Sequence, residues 1–366
     1  MKKLTILIAA VALVCFAAPA MAVDWNFYGN ARMATYYNST DGGDVGNDDA
    51  DLQWSLQGNS RVGATIKAEN INARIEMGIN ESSVSSRRVY GVWNFGAGKM
   101  KVGKDYTPVS QFISGQVYDG DLGLLGVGTQ YGSRVGQIAF TFGNFDIALI
   151  DPSTGGAETT FVLAGTTFVI NTTDGDVDQI VPKIEASYGM SFDTWNFGVQ
   201  GGFNYFEVND ITSPAGNSED LDVTSYTVGA DAGFNFGPGY VKAALSMGQN
   251  WGNANWAIPG NWNQGAFATY DGDDDTDDVD VMQGALVAGL KVSDMLSFEG
   301  GFGYRQDDPD EGDKSKPWAA YVQSVISLAP GVYIVPEIGY IDQDVNYDDD
   351  DAGTRFYLGG KWQINF

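Results

Sequence analysis

The feature that most restricts what this chain can fold into is the sorting of its connections. From Val23 onward, segments in which apolar and polar residues alternate are joined in turn by very short links and by long, polar, acid-rich ones. A period of two marks a strand with two unlike faces. Sixteen such segments begin near Val23, Asp51, Asn72, Arg87, Gly98, Arg134, Phe145, Pro182, Trp195, Asp222, Tyr240, Asp278, Met295, Pro317, Val332 and Gly353. The short links are 68–71, 96–97, 143–144, 192–194, 237–239, 293–294 and 329–331, and they carry Gly, Pro, Asn and Asp, the residues that tight turns require. The long ones lie near 39–50, 81–86, 105–133, 152–181, 208–221, 250–277, 307–316 and 344–352. Strict alternation puts all short links on one side of a sheet and all long ones on the other. A soluble sandwich has no reason to sort its loops this way, whereas a transmembrane antiparallel up-and-down β-barrel does. The expected fold is therefore all-β, a barrel of about 16 strands with long external loops and both strand termini on the short-turn side.

The faces agree with that architecture. In the second segment Leu52, Trp54, Leu56, Val62, Ala64 and Ile66 alternate with Gln53, Ser55, Gln57, Asn59, Arg61, Thr65 and Lys67. A face this polar would make a poor sandwich core and suits the wall of a water-filled lumen. In the closing segment Phe356, Leu358, Gly360, Trp362, Ile364 and Phe366 face one way, and Arg355, Tyr357, Lys361, Gln363 and Asn365 the other. This strand must pair with the first, because an open edge cannot be left in hydrocarbon. Aromatic residues recur near segment ends, among them Trp25, Phe27, Tyr37, Trp54, Trp93, Phe95, Trp195, Trp318 and Trp362. Two interfacial girdles would explain them, the ordinary strand propensity of aromatics being the alternative.

Residues 1–22 combine a basic start at Lys2 and Lys3, an apolar run, and small Ala20 and Ala22 around Met21. They are expected to be a cleaved secretory signal peptide, leaving 23–366 as a single barrel domain. The apolar run is shorter than the roughly 20 residues of a spanning helix, and Val14 before Cys15 disfavours lipoprotein processing. Cleavage would remove the one cysteine, so no disulfide is expected. The full chain carries a formal charge of −27, which excludes a general nucleic-acid binder. Its acids gather in runs within the long links, such as 271–280, 307–311 and 348–351. The first imitates a calcium loop, but Thr276 stands where glycine is needed and Met282 where the closing Glu should be. No metal site or cofactor is expected. Loose bridging of these runs to lipopolysaccharide by divalent ions competes with a merely solvated surface.

A barrel of 16 strands is wide enough for an aqueous channel, so selectivity needs something to narrow it. The third long link, 105–133, is the candidate. It alone has substantial apolar content, at Phe112, Ile113, Leu122, Leu124 and Leu125, which a loop folded back against the inner wall could pack. The run Val102-Gly103-Lys104-Asp105-Tyr106-Thr107-Pro108, followed by a long loop and Tyr131-Gly132-Ser133-Arg134-Val135, resembles the constriction-loop region of Gram-negative general porins. With the opening Trp25-Asn26-Phe27-Tyr28-Gly29 and the terminal Phe366, the resemblance spans the chain.

It implies an outer-membrane, water-filled channel for passive diffusion of ions and small hydrophilic solutes. It also implies a homotrimer in contact with lipid and lipopolysaccharide, with Phe366 as part of the signal read by the barrel-assembly machinery. The family's inward-folded third loop presents acids, here matched by Asp119 and Asp121 with Asp105 as a less certain third. They face basic residues of the early strands, here Arg32, Arg61, Arg74, Arg88 and Lys101. Arg134 sits where the family often has an arginine, yet it shares parity with Gly136, Ile138, Phe140 and Phe142, so only a bulge would turn it inward.

Opposed rows of charge would order water across the opening and pass small hydrated ions. With external acids enriching cations, a weak to moderate cation preference is expected. Three other functions compete. A sugar- or anion-restricted channel would need an aromatic or a dense basic ladder, and Trp251, Trp256 and Trp262 are the one hint of a sugar platform, unless they merely stabilise their loop. A barrel lipase or protease is disfavoured, since those families use histidine and this chain has none. A non-conducting adhesin or envelope tether is the last.

Overall fold

The computed structural model describes residues 23–153, 158–163, 166–171, 176–212, 218–257, 264–270 and 276–366. Residues 1–22, Trp262 and part of the 271–280 acid run lie outside these, so the signal-peptide expectation does too.

Sixteen strands cross the barrel among the described residues. They are β1 (Asp24–Asp41), β2 (Asp49–Leu56 continued by Ser60–Lys67), β3 (Ile71–Ile79), β4 (Val84–Asn94) and β5 (Lys99–Tyr106). After the third loop come β6 (Arg134–Phe142), β7 (Phe145–Ile150), β8 (Lys183–Ser191), β9 (Trp195–Thr212), β10 (Ser218–Phe236) and β11 (Gly239–Gln249). The last five are β12 (Val279–Lys291), β13 (Leu296–Pro309), β14 (Trp318–Ala329), β15 (Val332–Asp342) and β16 (Thr354–Asn365). Each pairs antiparallel with its sequence neighbours. β16 returns to β1 in a register running from Asn30 opposite Asn365 to Asp41 opposite Thr354. The sheet therefore has no free edge, as hydrocarbon demands.

Every strand starts within a few residues of its expected position. Three outer connections are clearly shorter than the sequence suggested, the first of them reduced to 42–48. Only residues 80–83 separate β3 from β4, and β9 and β10 extend as a hairpin to Thr212 and from Ser218. The hairpin carries the buried alternation onward from Phe206 to Val208 on β9 and back from Val223 to Leu221 on β10, within what reads as a polar loop.

Facing follows the period of two. Phe27, Leu52, Trp54, Leu245, Met247 and Leu286 point outward and are exposed, whereas Arg32, Asn38, Gln137, Gln283 and Gln323 point inward and are buried. This inverts a soluble protein, and each outward side chain gains about 2 kcal/mol when lipid replaces water around it. Near the short turns Trp93 meets Phe95 at 5.5 Å and Trp195 meets Phe234 at 4.4 Å between ring centroids. Toward the long-loop side Trp318 contacts both Phe302 and Tyr340. Aromatic clusters thus lie toward both ends of the wall.

Closure is completed below the last strand. The Gly29 amide donates to the Phe366 carbonyl at 2.8 Å, and the Phe366 amide donates to the Gly29 carbonyl at 2.9 Å. Deleting Phe366 removes both bonds at the seam. The expected outcome is a sharp fall in folded, heat-modifiable barrel in the membrane fraction, with the conductance of surviving channels unchanged; normal barrel yield would contradict it.

Candidate functional site at the barrel constriction

The third loop, 107–133, lies inside the barrel. Its apolar residues Ile113, Leu122, Leu124 and Val127 are buried against Ala34, Tyr36, Val287, Tyr321, Ile341 and Tyr357 of the inner wall. A loop that leaves sheet structure must find partners for its backbone, and here carboxylates of the wall supply them. Glu185 on β8 accepts the Val109 amide at 3.2 Å, Glu299 on β13 accepts Gly115 at 2.8 Å, and Glu337 on β15 accepts Val117 at 2.7 Å. Such charge-assisted bonds are stronger than neutral ones. Around them Gln116 donates to Tyr357, Gln323 donates to the Gly115 carbonyl, and Gln130 bonds Thr227.

The loop also presses directly on the sheet. A Cβ on Gly128 (φ 116°) would stand 2.6 Å from the Gly303 Cα, and one on Gly303 would strike the Val127 carbonyl oxygen. At its tip, Tyr118–Asp121 forms a single turn in which Asp119 and Gly120 are left-handed, with φ of 47° and 75°. That turn swings Asp121 onto the β16, β1 and β2 wall.

Asp121 pairs there with Arg32, with Lys361 at 3.0 Å, and accepts Asn59 at 2.6 Å. Burial alone would raise its carboxyl, but Lys361 and Arg32 outweigh that and hold it below its ordinary value. Asp119 keeps an exposed surface on the tip, but the protein crowded around it inside the barrel desolvates its carboxyl and raises it, and Arg355 pulls the other way. Asp105 is the penultimate residue of β5 rather than part of the loop. It is paired on its own wall with Arg88 at 2.6 Å and Lys101 at 2.7 Å.

The remaining basic residues gather around one acid absent from the sequence-based set. Glu76 on β3 is fully buried and holds Arg74 at 2.8 Å, Arg87 at 3.1 Å and Arg61 at 3.6 Å, while the Tyr28 hydroxyl donates to it at 2.8 Å. Parity could have found Glu76, which shares the inner face with Arg74. Arg87 was hidden: the pairing of β3 with β4 shifts between Glu76 and Met77, so Arg87 occupies a bulge and points inward beside Arg88. Lys361 lies on the polar face of β16 in sequence, yet only barrel closure sets it opposite Ala34 and near Arg32.

Arg134 also reaches the constriction. Its strand pairs regularly, Tyr106 opposite Arg134, with no bulge. It is the first residue of β6, preceded by left-handed Ser133 (φ 64°), and its guanidinium carbon lies 5.3 Å from the Tyr106 ring centroid. Between the loop and the early strands remains a cavity of about 440 Å³. Arg32, Arg61, Arg87, Arg134 and Lys361 line it against the single carboxylate of Asp121, with Tyr106, Phe112, Gln116 and Tyr131 completing the wall.

A family model of the Gram-negative porins matches residues 9–346. The chain belongs to the Gram-negative porin family. Solved structures share the fold at low identity. The outer-membrane channel DcaP of Acinetobacter baumannii is 13% identical with a TM-score of 0.70, covering 94% of this chain and 97% of that one. An anion-selective porin from Comamonas acidovorans is 14% identical with a TM-score of 0.60, covering 94% of this chain and 100% of that one. The trimer form of OmpT, an outer-membrane protein of Vibrio cholerae, is 13% identical with a TM-score of 0.58, covering 93% and 99%. A search of the curated proteins gives no match.

This porin narrows its lumen with a second loop as well. Trp251 and Trp256, in the loop after β11, are fully buried. Trp256 donates to Glu185 at 2.8 Å and Trp251 to the Tyr226 carbonyl at 3.2 Å, so both fasten their loop to the wall and neither offers a face to a sugar. Glu185 thus accepts from both inserted loops. No group of three or more His, Cys, Asp or Glu able to hold a metal ion occurs among the described residues.

Two outcomes follow for the porin. Gly303→Val places a side chain where the Val127 carbonyl lies; overpacking of this kind costs about 1–3 kcal/mol. The loop should be displaced, and single-channel conductance should rise with the barrel still assembled. Unchanged conductance would count against docking at this point. For Asp121 the folded carboxyl is depressed, so its pairing is fully present above the ordinary value of 3.8 and is lost only as pH falls through the lower folded value. Current noise should therefore stay flat down to that range and then rise, whereas Asp121→Asn should be noisy at neutral pH. A noise onset near neutrality in the unmodified porin would refute this.

Proposed function

We propose that this porin is a passive diffusion channel for ions and small hydrophilic solutes whose narrow segment favours small anions. The observation that carries it is the constriction cavity, with five cationic side chains against one carboxylate. From the sequence alone a weak cation preference was expected, on the grounds that external acids dominate the field. Screening and the position of the charge favour the opposite sign. External loop charge is screened over about 8 Å at physiological ionic strength, while charge lining a narrow passage acts on every ion that crosses it and is focused by the surrounding low dielectric. Asp105 of β5 and Asp121 of the loop are each shared between two cations on the wall, so they oppose little of the remaining positive field.

The two inserted loops favour a restricted channel over a broad one, since both draw on the inner wall of β8 to β15. The roles expected for Arg32, Arg61, Arg74, Arg88, Lys101 and Arg134 become those of a basic wall, extended by Arg87 and Lys361. A homotrimer is proposed by kinship with the family and with the Vibrio cholerae protein solved in trimer form. Lipid and lipopolysaccharide are its proposed surroundings, and the barrel-assembly machinery the proposed reader of Phe366.

Reversal potential across a planar bilayer in a potassium chloride gradient tests the central point. Anion preference is expected at low salt, eroding as salt rises, and Arg61→Glu with Arg87→Glu should shift the potential toward cations. A cation-preferring unmodified channel would overturn the proposal.

A further inference from the structure

The constriction cavity is not only basic. Tyr106, Phe112 and Tyr131 form an edge-to-face trio along one side of it, with ring centroids 4.8 Å, 6.3 Å and 6.2 Å apart. Phe112 is 53% exposed although its neighbours Gln111 and Ile113 are buried. A loop that packs its other large apolar residues into the wall leaves this ring bare where solutes pass, at the expense of wetting it.

Beside the trio stands Arg134. The other cavity cations share carboxylates, Arg32 and Lys361 at Asp121, Arg61 and Arg87 at Glu76. Arg134 has no carboxylate partner among the described residues, and its Nη1 is buried without an acceptor. That nitrogen lies beneath the surface, while Arg134 bonds the Tyr131 hydroxyl and turns the rest of its guanidinium to the cavity, where an anionic oxygen is the strongest acceptor it can take. Its guanidinium lies over the Tyr106 face, so an acceptor that reaches it also lies against the aromatic trio.

Resting on the anion-favouring constriction proposed above, we infer that this cavity is a binding site for an organic anion that joins a carboxylate to a flat apolar body, an arenecarboxylate being the simplest. The carboxylate accepts from Arg134, with Arg61 and Arg87 adding charge, and the ring packs on Phe112 and Tyr131. Inorganic phosphate would satisfy the arginines but leave Phe112 wet, and acetate is too short to cover it. A cavity of about 440 Å³ is within the range that encloses a small organic molecule.

The test uses single channels of the full-length porin in planar bilayers, with benzoate, acetate and inorganic phosphate added in turn at constant ionic strength. Benzoate should block saturably, with an apparent affinity about tenfold above acetate and phosphate, the discrimination that a good aromatic contact provides. Phe112→Ala should bring benzoate to the level of acetate, and Arg134→Gln should weaken the block by benzoate and acetate alike. Because Phe112 is exposed, its truncation leaves the packed part of the loop in place, and the comparison of ligands on the unmodified porin does not depend on any variant folding. Equal block by benzoate and acetate, or none by either, would overturn the site. Reversal potential read in the same membranes separates the two ideas: anion preference without selective block removes the site alone, and cation preference removes both.

Discussion

No backbone amide can be left unpaired in hydrocarbon, and the seam between β1 and β16 is where this chain meets that demand. Twelve residue pairs join the two strands, and the Gly29 and Phe366 bonds complete the junction. Everything inside depends on that closure. It fixes which faces turn inward, and it brings Lys361 from one end of the chain beside Arg32 from the other. Asp121 then has two cations to dock on.

Within the closed wall, charge replaces the apolar core of a soluble domain. Burying a carboxylate is expensive unless it is paired and hydrogen-bonded, and Glu76 answers that with three arginines and a tyrosine hydroxyl. Glu185, Glu299 and Glu337 answer it differently, by taking amide hydrogens from an inserted loop. The same residue type thus serves two ends. On β3 it packs like charges close enough to build a basic wall. On β8, β13 and β15 it anchors the segment that faces that wall.

The asymmetry of the lumen follows. One side, from β8 to β13, is occupied by the loop after β11 together with the base of the third loop, which share Glu185. The other side keeps its arginines facing open space. The open space therefore runs along the basic wall and past Phe112, whose ring stays bare because the loop is already held by bonds on its other face.

The sequence by itself determined the barrel. Period-two alternation and the sorting of short and long links leave few other ways to satisfy strand backbones, and parity alone assigns Arg32, Arg61, Arg74, Arg88 and Lys101 to the lumen. Glu76 was readable on the same grounds. Tertiary structure decided what parity cannot see. A one-residue bulge turned Arg87 inward beside Arg88, closure of β16 on β1 brought Lys361 beside Arg32 to meet Asp121, and a left-handed tip set that acid against the wall instead of across the opening from it. Periodicity reports local facing. The charge balance of the constriction depends on which inward residues meet, and that is set only by register, closure and the path of a loop that has no period at all.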